Sequence, residues 1–171
     1  TDEPQPHIGG SRSMIRWNTD LVVPADSASN AARIDEAVAA ARRSELAILV
    51  LGDNAMTSRE GWAETHVGDR TRLDLPGPQE ELVDAVLATG TPTVVVLQNG
   101  RPAAIPGIAA DVRAILEAWY AGQEAGTAVA EALFGDINPG GKLPVTVPRS
   151  VGQLPLFYNH KPSARRGYLF D

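Results

Sequence analysis

The run LAILVL at residues 46–51 is apolar at every position and determines the class of fold. A strand with one face in water alternates apolar and polar side chains, whereas a parallel strand covered by helices on both faces is apolar throughout. The turn sequence Gly-Asp-Asn at residues 52–54 follows directly and ends the run. We therefore expect residues 46–51 to form a buried strand in a parallel sheet.

Helix and strand patterns alternate on both sides of this run. The preceding helix is predicted to begin among residues 27–30 and to reach about residue 43, because its apolar side chains recur every three or four positions. Such alternation is typical of a mostly parallel sheet with helices on both faces. We expect the carboxyl ends of the strands to line one edge, where open α/β sheets bind ligands. The other predicted elements are helices at 78–89 and 124–134 and strands at 21–23, 93–97, 112–119 and 143–147.

Composition and charge exclude several classes of function. The chain has 171 residues, a formal net charge of −6 and no cysteine. An acidic surface disfavours binding to nucleic acid, and the lack of cysteine leaves neither disulfides nor thiolate metal sites. The three histidines do not have a metal-site spacing, and neither a nucleotide-binding glycine motif nor a GxSxG motif is present. We therefore expect no cofactor, no metal and no nucleic-acid partner.

The ends of the chain suggest its relation to a larger protein. The sequence begins TDEPQPHIGG, without an initiator Met and without the features of a signal peptide. Its apolar runs are too short to span a bilayer, so we expect no membrane partner. We predict a piece of a longer polypeptide: a linker or partial N-terminal segment at 1–28, an α/β sandwich domain at 29–148, and a tail at 149–171 leading toward a missing downstream domain.

A long charged segment, TSREGWAETHVGDRTRLDLPGP at residues 57–78, follows the central run. Loops of this length inside a compact domain are usually functional or disordered. Glu60 and Glu64 lie on either side of Trp62 in this segment. A glutamate that is partly buried beside an aromatic ring has a raised pKa and can act as a general acid near neutral pH. The residue types alone leave open the ordinary alternative of two solvated glutamates.

Other side chains are candidates for supporting roles. Arg70 is a candidate clamp for the charged segment, because a guanidinium group can bind a carboxylate at two points. His66 is a candidate for orienting a carboxylate or contacting a sugar hydroxyl. Trp119 and Tyr120, at the end of a predicted strand, form either a platform on which a sugar stacks or part of the core.

Several segments of the chain resemble the signatures of glycoside hydrolase family 3, including its pattern GDRxxLDLPGxQ. They occur in the order found in that family, and the resemblance covers about residues 33–171. The segments are GDRTRLDLPGPQ at 68–79, VVLQNGRP at 95–102, AWYAGQE at 118–124, LFGDINPGGKLP at 133–144, and VGQLP at 151–155 with YNHKP at 158–162.

The resemblance implies a three-layer α/β sandwich with a mostly parallel sheet of about six strands. In the family this domain packs on an N-terminal (β/α)8 barrel that carries an aspartate nucleophile, and the active site lies between the two domains. The implied activity is that of a retaining, exo-acting β-glycosidase, with β-glucosidase as first choice and β-xylosidase as a related one. Its substrates are β-linked oligosaccharides or aryl glycosides with a terminal non-reducing β-D-glycosyl residue. Without the barrel, this chain is expected to be inactive.

The resemblance also assigns roles within the charged segment. Members with an AET or AEN sequence place the acid/base at its glutamate, which is Glu64 here, whereas members with GEG make Glu60 the alternative. Trp62, His66 and Arg70 are the candidate substrate-binding residues. The family suggests a periplasmic or secreted location and leaves a cytoplasmic one open. The competing hypothesis is a non-catalytic carbohydrate-binding or packing module of the same fold.

Overall fold

The structure, a computed structural model, describes residues 27–54, 57 and 70–159. Helices and strands alternate through the described residues, which confirms the predicted α/β class. In chain order the elements are α1 (Ser27–Ala41), β1 (Ala47–Gly52), α2 (Gln79–Leu87), β2 (Thr93–Gln98), α3 (Pro106–Asp111), β3 (Ala114–Glu117), α4 (Ala125–Phe134) and a 3-10 helix (Val151–Gln153).

The three described strands form a parallel sheet in the order β1-β2-β3. The register pairs Leu49 of β1 with Val95 of β2, and Val95 with Ile115 of β3. Because the strands run in the same direction, their carboxyl ends meet at one edge. The charged segment leaves the sheet at this edge, directly after β1.

Helices α1, α2 and α3 bury their apolar sides against one face of the sheet. On α2, Leu82, Val83 and Val86 share one side of the helix and are almost completely buried. Burying one such side chain contributes about 1.5–3 kcal/mol to stability, so α2 is firmly attached to the strands. The core cluster joins these residues to Ala37 and Ala41 of α1, Leu49 and Leu51 of β1, Val95 and Leu97 of β2, and Ile108 of α3.

The opposite face of β1 carries apolar side chains that the described helices leave uncovered. Ile48 and Val50 are 40% and 43% exposed. The sequence predicts burial at every position of this strand, whereas the structure shows buried and exposed positions in alternation. The physical reason is that α1, α2 and α3 all pack on the other face of the sheet. Leu49 and Leu51 lie on that covered face.

Three other elements differ from the sequence-based expectations. Helix α3 gives no recognisable pattern in the sequence, because it has only six residues and begins with Pro106. Residues 143–147 do not form a strand, and proline within this segment cannot donate to a sheet. Helix α4 begins one residue after the predicted start and ends at the predicted residue, but it has no buried residue. Val129 and Leu133 are therefore only partly covered. The predicted strand at 21–23 lies outside the described residues.

The extent of the domain is described only in part. The described residues supply three strands, whereas the family resemblance implies about six. The predicted boundaries at residues 28 and 148 stay predictions. Among the described helices, none combines the length and the apolar character that a membrane-spanning helix needs.

Candidate active site

One carboxylate joins the ends of all three described strands. Asp53, directly after β1, accepts two hydrogen bonds at Oδ1: one from the N–H of Gly100 at 2.9 Å and one from the hydroxyl of Tyr120 at 3.1 Å. Gly100 follows β2 and Tyr120 follows β3. The predicted meeting of the strand ends at one edge is thus confirmed by direct contacts.

Two glycines permit this close arrangement. A Cβ on Gly100 would lie 2.4 Å from Cε2 of Tyr120, so a side chain there would displace the ring. A Cβ on Gly52 would lie 1.9 Å from the carbonyl oxygen of Gln98. The φ of Gly52, +148°, is also one that other residues rarely adopt. The backbone of β1 therefore approaches β2 closely at Gly52, the last residue of β1 before the chain leads into the charged segment.

Tyr120 keeps its proton in this arrangement. Partial desolvation of the hydroxyl and the negative charge of Asp53 both raise the pKa of Tyr120 above its ordinary value. The phenol therefore remains a donor to Asp53 at neutral pH. Tyr120 is 59% exposed and Trp119 is half-buried, and neither belongs to the core cluster. Their role as a platform for a sugar stays a prediction.

Glu117, the last residue of β3, is a second carboxyl group at this edge. Its Oε1 accepts a hydrogen bond at 3.2 Å from the N–H of Trp119, whose φ is +52°. Burial is the main cause that raises the pKa of Glu117 above its ordinary value, and the negative charge of Asp53 raises it further. The folded chain therefore holds the Glu117 proton more tightly than the unfolded chain does.

We expect the replacement Glu117→Gln to stabilise the chain more at pH 7 than at pH 4. Because the pKa of Glu117 is raised by folding, its contribution to stability is fully present at low pH and is lost as the pH rises through the folded-state pKa. Glutamine keeps the acceptor for Trp119 and carries no charge to desolvate. The free energy of unfolding of the variant minus that of wild type, measured by urea titration, should increase with pH. If this difference in the free energy of unfolding is constant or decreases with pH, folding does not raise the pKa of Glu117.

Asp74 braces the far end of the charged segment. Its Oδ1 accepts a hydrogen bond from Arg70 at 3.0 Å, and its other oxygen pairs with Arg72. Arg70 thus pairs with a carboxylate at one point and not at the two points predicted, and its role as a clamp stays a prediction. The next residue, Leu75, is buried in the core cluster. The end of the charged segment is therefore fixed to the scaffold.

A cavity of about 400 Å³ lies beside this brace. Its lining includes Asp74, Glu80 and Asp84 together with Arg72 and Arg149. Burial raises the pKa of Glu80, and the charges of Asp74 and Asp84 add to that effect. Within the described part of the chain, no group of acidic, His or Cys side chains is arranged to hold a metal ion. The mixed charges of the lining give the cavity no marked preference for a cation or an anion.

Most of the predicted site residues fall between residues 58 and 69, outside the described residues. These are Glu60, Trp62, Glu64 and His66, whose roles stay predictions. Arg70 is described, and its side chain is engaged with Asp74. Its contact with a substrate likewise stays a prediction.

Three residues without a predicted role hold this edge of the sheet together. Asp53 joins the strand ends, and Glu117 accepts the N–H of Trp119. Gln79 bonds to the backbone of Gly52 before the charged segment and of Pro76 near its end. Each has a signal in the sequence. Asp53 and Glu117 are acidic residues at the ends of apolar strands, and Gln79 is the last residue of GDRTRLDLPGPQ.

Comparisons with known proteins agree on one family. The sequence model described as Glycosyl hydrolase family 3 C-terminal domain matches residues 6–171. A β-xylosidase from Formosa agariphila is 50% identical over 127 residues, which are 74% of this chain and 17% of that protein. A periplasmic β-glucosidase from Salmonella typhimurium is 44% identical over 143 residues, 84% of this chain and 18% of that protein. The solved structure of a β-glucosidase from Erythrobacter marinus has a TM-score of 0.76 and 47% identity, and the match covers 85% of this chain and 20% of that one.

The chain spans about a fifth or less of the length of these relatives. The family match extends over nearly all of its residues, and the similarity holds in both sequence and fold. The parallel sheet, the charged segment after β1 and the order of the sequence signatures are consistent with that match. The chain therefore belongs to the glycosyl hydrolase family 3 C-terminal domains.

Proposed function

We propose that this chain is the second domain of a retaining, exo-acting β-glycosidase, with β-glucosidase as the expected activity. The enzyme hydrolyses terminal non-reducing β-D-glycosyl residues of β-linked oligosaccharides or aryl glycosides. Glu64 is its general acid/base, with Glu60 as the alternative. A (β/α)8 barrel in the same enzyme supplies the aspartate nucleophile, so the active site is shared between two domains.

The attachment of the charged segment at the carboxyl edge of the sheet is the observation that carries this function. The chain leads into the segment through Asp53, which bonds to the residues after β2 and β3. Toward its other end, Asp74 pairs with Arg70 and Arg72. A catalytic side chain needs a support of this kind, because an error of about 1 Å in its position can cost a hundredfold in rate.

The chemistry requires two carboxyl groups with different tasks. In retaining glycosidases they lie about 5–5.5 Å apart on either side of the glycosidic bond. One attacks the anomeric carbon, while the other protonates the leaving oxygen and later takes a proton from water. The second task is assigned to Glu64. Trp62 shields Glu64 from water, and His66 and Arg70 contact the sugar.

The relatives support the choice of activity and location. The names of the matched proteins are β-xylosidase, periplasmic β-glucosidase and β-glucosidase. Both activities cleave a β-linked sugar with the same pair of carboxyl groups, so either is compatible with the role of Glu64. The name of the Salmonella relative supports a periplasmic or secreted location.

Assay of the isolated chain tests the shared site. We expect no turnover of an aryl β-glucoside or an aryl β-xyloside, because the nucleophile lies on the barrel. Addition of the separately expressed barrel domain should restore turnover, and Glu64→Gln in this chain should remove most of it. Turnover by the chain alone would contradict the shared site. Turnover of the mixture that neither Glu64→Gln nor Glu60→Gln affects would favour a non-catalytic module.

A further inference from the structure

The side-chain amide of Gln79 connects the last residue of β1 to the carboxyl-terminal end of the charged segment. Its Oε1 accepts a hydrogen bond from the N–H of Gly52 at 2.8 Å, and its Nε2 donates to the carbonyl oxygen of Gly52 at 2.8 Å. Nε2 also donates to the carbonyl oxygen of Pro76 at 2.7 Å. One side chain therefore bonds to the last residue of β1 and to the residues that lead into α2.

These contacts supply the backbone hydrogen bonds of Gly52 at the end of β1. The N–H of Asp53 bonds to the carbonyl oxygen of Gln98 on β2 at 3.2 Å, whereas the N–H and C=O of Gly52 bond to Gln79. A primary amide offers an acceptor and two donors, and all three are used here. Glutamine is the side chain that satisfies both backbone groups of Gly52 and still reaches Pro76.

Gln79 is itself held by a rigid element. It is the first residue of α2, whose Leu82, Val83 and Val86 are buried in the core. The position of Gly52 relative to Pro76 is thus set by a side chain on a packed helix. The separation between Gly52 and Pro76 is therefore fixed as long as the Gln79 amide is present.

We propose that Gln79 is a positioning residue for the acid/base glutamate. It acts through the backbone of the charged segment and does not touch the substrate. This inference rests on the proposed function, in which Glu64 lies on that segment. Loss of the Gln79 amide should misplace the proton donor and leave the nucleophile on the barrel unaffected.

The test uses Gln79→Leu in the full-length enzyme, with aryl β-glucosides of different leaving groups. A phenyl glucoside needs a proton donor, whereas a dinitrophenyl glucoside does not. We expect the ratio of kcat/KM for dinitrophenyl glucoside to that for phenyl glucoside to rise about tenfold or more over wild type. A purely structural defect reduces the number of active molecules and lowers both values equally, so it leaves this ratio unchanged.

Gln123→Leu is the matched control, because it makes the same chemical change at an exposed position outside the charged segment. It should leave the ratio at the wild-type value. Gln79→Glu is the second variant. It keeps the acceptor for the N–H of Gly52 but presents an oxygen to the carbonyl groups of Gly52 and Pro76, so the ratio should rise in this variant as well.

Each outcome decides the role of Gln79. If folded Gln79→Leu keeps the ratio of kcat/KM for the two glucosides within about threefold of wild type, Gln79 is not a positioning residue. If that variant does not fold, the ratio in Gln79→Glu decides in the same way, and failure of both to fold would make Gln79 a structural residue only. The proposed function is judged separately: if Glu64→Gln itself leaves the ratio unchanged, the acid/base assignment is wrong whatever Gln79 does.

Discussion

Replacement of Glu64 with alanine in the full-length enzyme is expected to lower kcat/KM on a phenyl β-glucoside by about 10²–10⁴-fold. Phenol is a poor leaving group and needs a proton from the enzyme as the glycosidic bond breaks. Dinitrophenolate leaves without that help, so kcat/KM on a dinitrophenyl β-glucoside should fall less than about tenfold. Steady-state assays of both substrates with the same enzyme preparation measure the difference.

The alternative assignment is tested by the same pair of assays on Glu60→Ala. If Glu64 is the acid/base, this variant should lose small and similar factors on both substrates. If Glu60→Ala causes a large loss of kcat/KM on the phenyl glucoside alone, Glu60 and not Glu64 is the acid/base. Equal losses on both substrates in Glu64→Ala would contradict its role as a proton donor.

The largest expected effect on stability comes from Gly52→Ala, which should lower the free energy of unfolding by about 2–6 kcal/mol. The new methyl group would lie 1.9 Å from the carbonyl oxygen of Gln98, so β1 and β2 must move apart. Overpacking of this kind costs about 1–3 kcal/mol, and an unfavourable positive φ adds about 1–3 kcal/mol. Urea titration of the chain, followed by circular dichroism, measures the loss.

Gly90→Ala separates the two causes. Gly90 follows α2 with a φ of +78°, and a Cβ there meets no atom within 4 Å. Only the cost of the left-handed backbone remains, which is about 1–2 kcal/mol. If Gly52→Ala costs no more than Gly90→Ala, the close approach of β1 to β2 does not constrain this position.

The strands and the edge that holds the site follow from the sequence because their signals are local. The apolar runs that become β1 and β2 can be recognised without their neighbours, and turn residues mark where each strand ends. A parallel sheet then brings those ends together, which is why the contact of Asp53 with Gly100 and Tyr120 agrees with the expectation. The order of strands and helices along the chain is therefore enough to predict that these strand ends lie at one edge.

The parts that the sequence does not predict depend on long-range contacts. The bonds from Gln79 to Gly52 join residues that are far apart in sequence, and no local pattern specifies them. The exposure of Ile48 and Val50 depends on which face of the sheet the helices cover, whereas an apolar run has the same appearance in either case. The position of Glu64 relative to the sheet depends on the folding of the charged segment, which no period in the sequence indicates.

The pH dependence of kcat/KM for the phenyl glucoside, compared among wild type, Glu60→Gln and the residual activity of Glu64→Gln, tests the shared active site most directly. A bell-shaped profile reports an ionised nucleophile on its acid side and a protonated acid on its alkaline side. We predict that Glu64→Gln loses the alkaline decrease and keeps the acid one, while Glu60→Gln keeps both. Retention of the alkaline decrease in Glu64→Gln would show that another group donates the proton. That result would contradict the assignment of Glu64 as the acid/base.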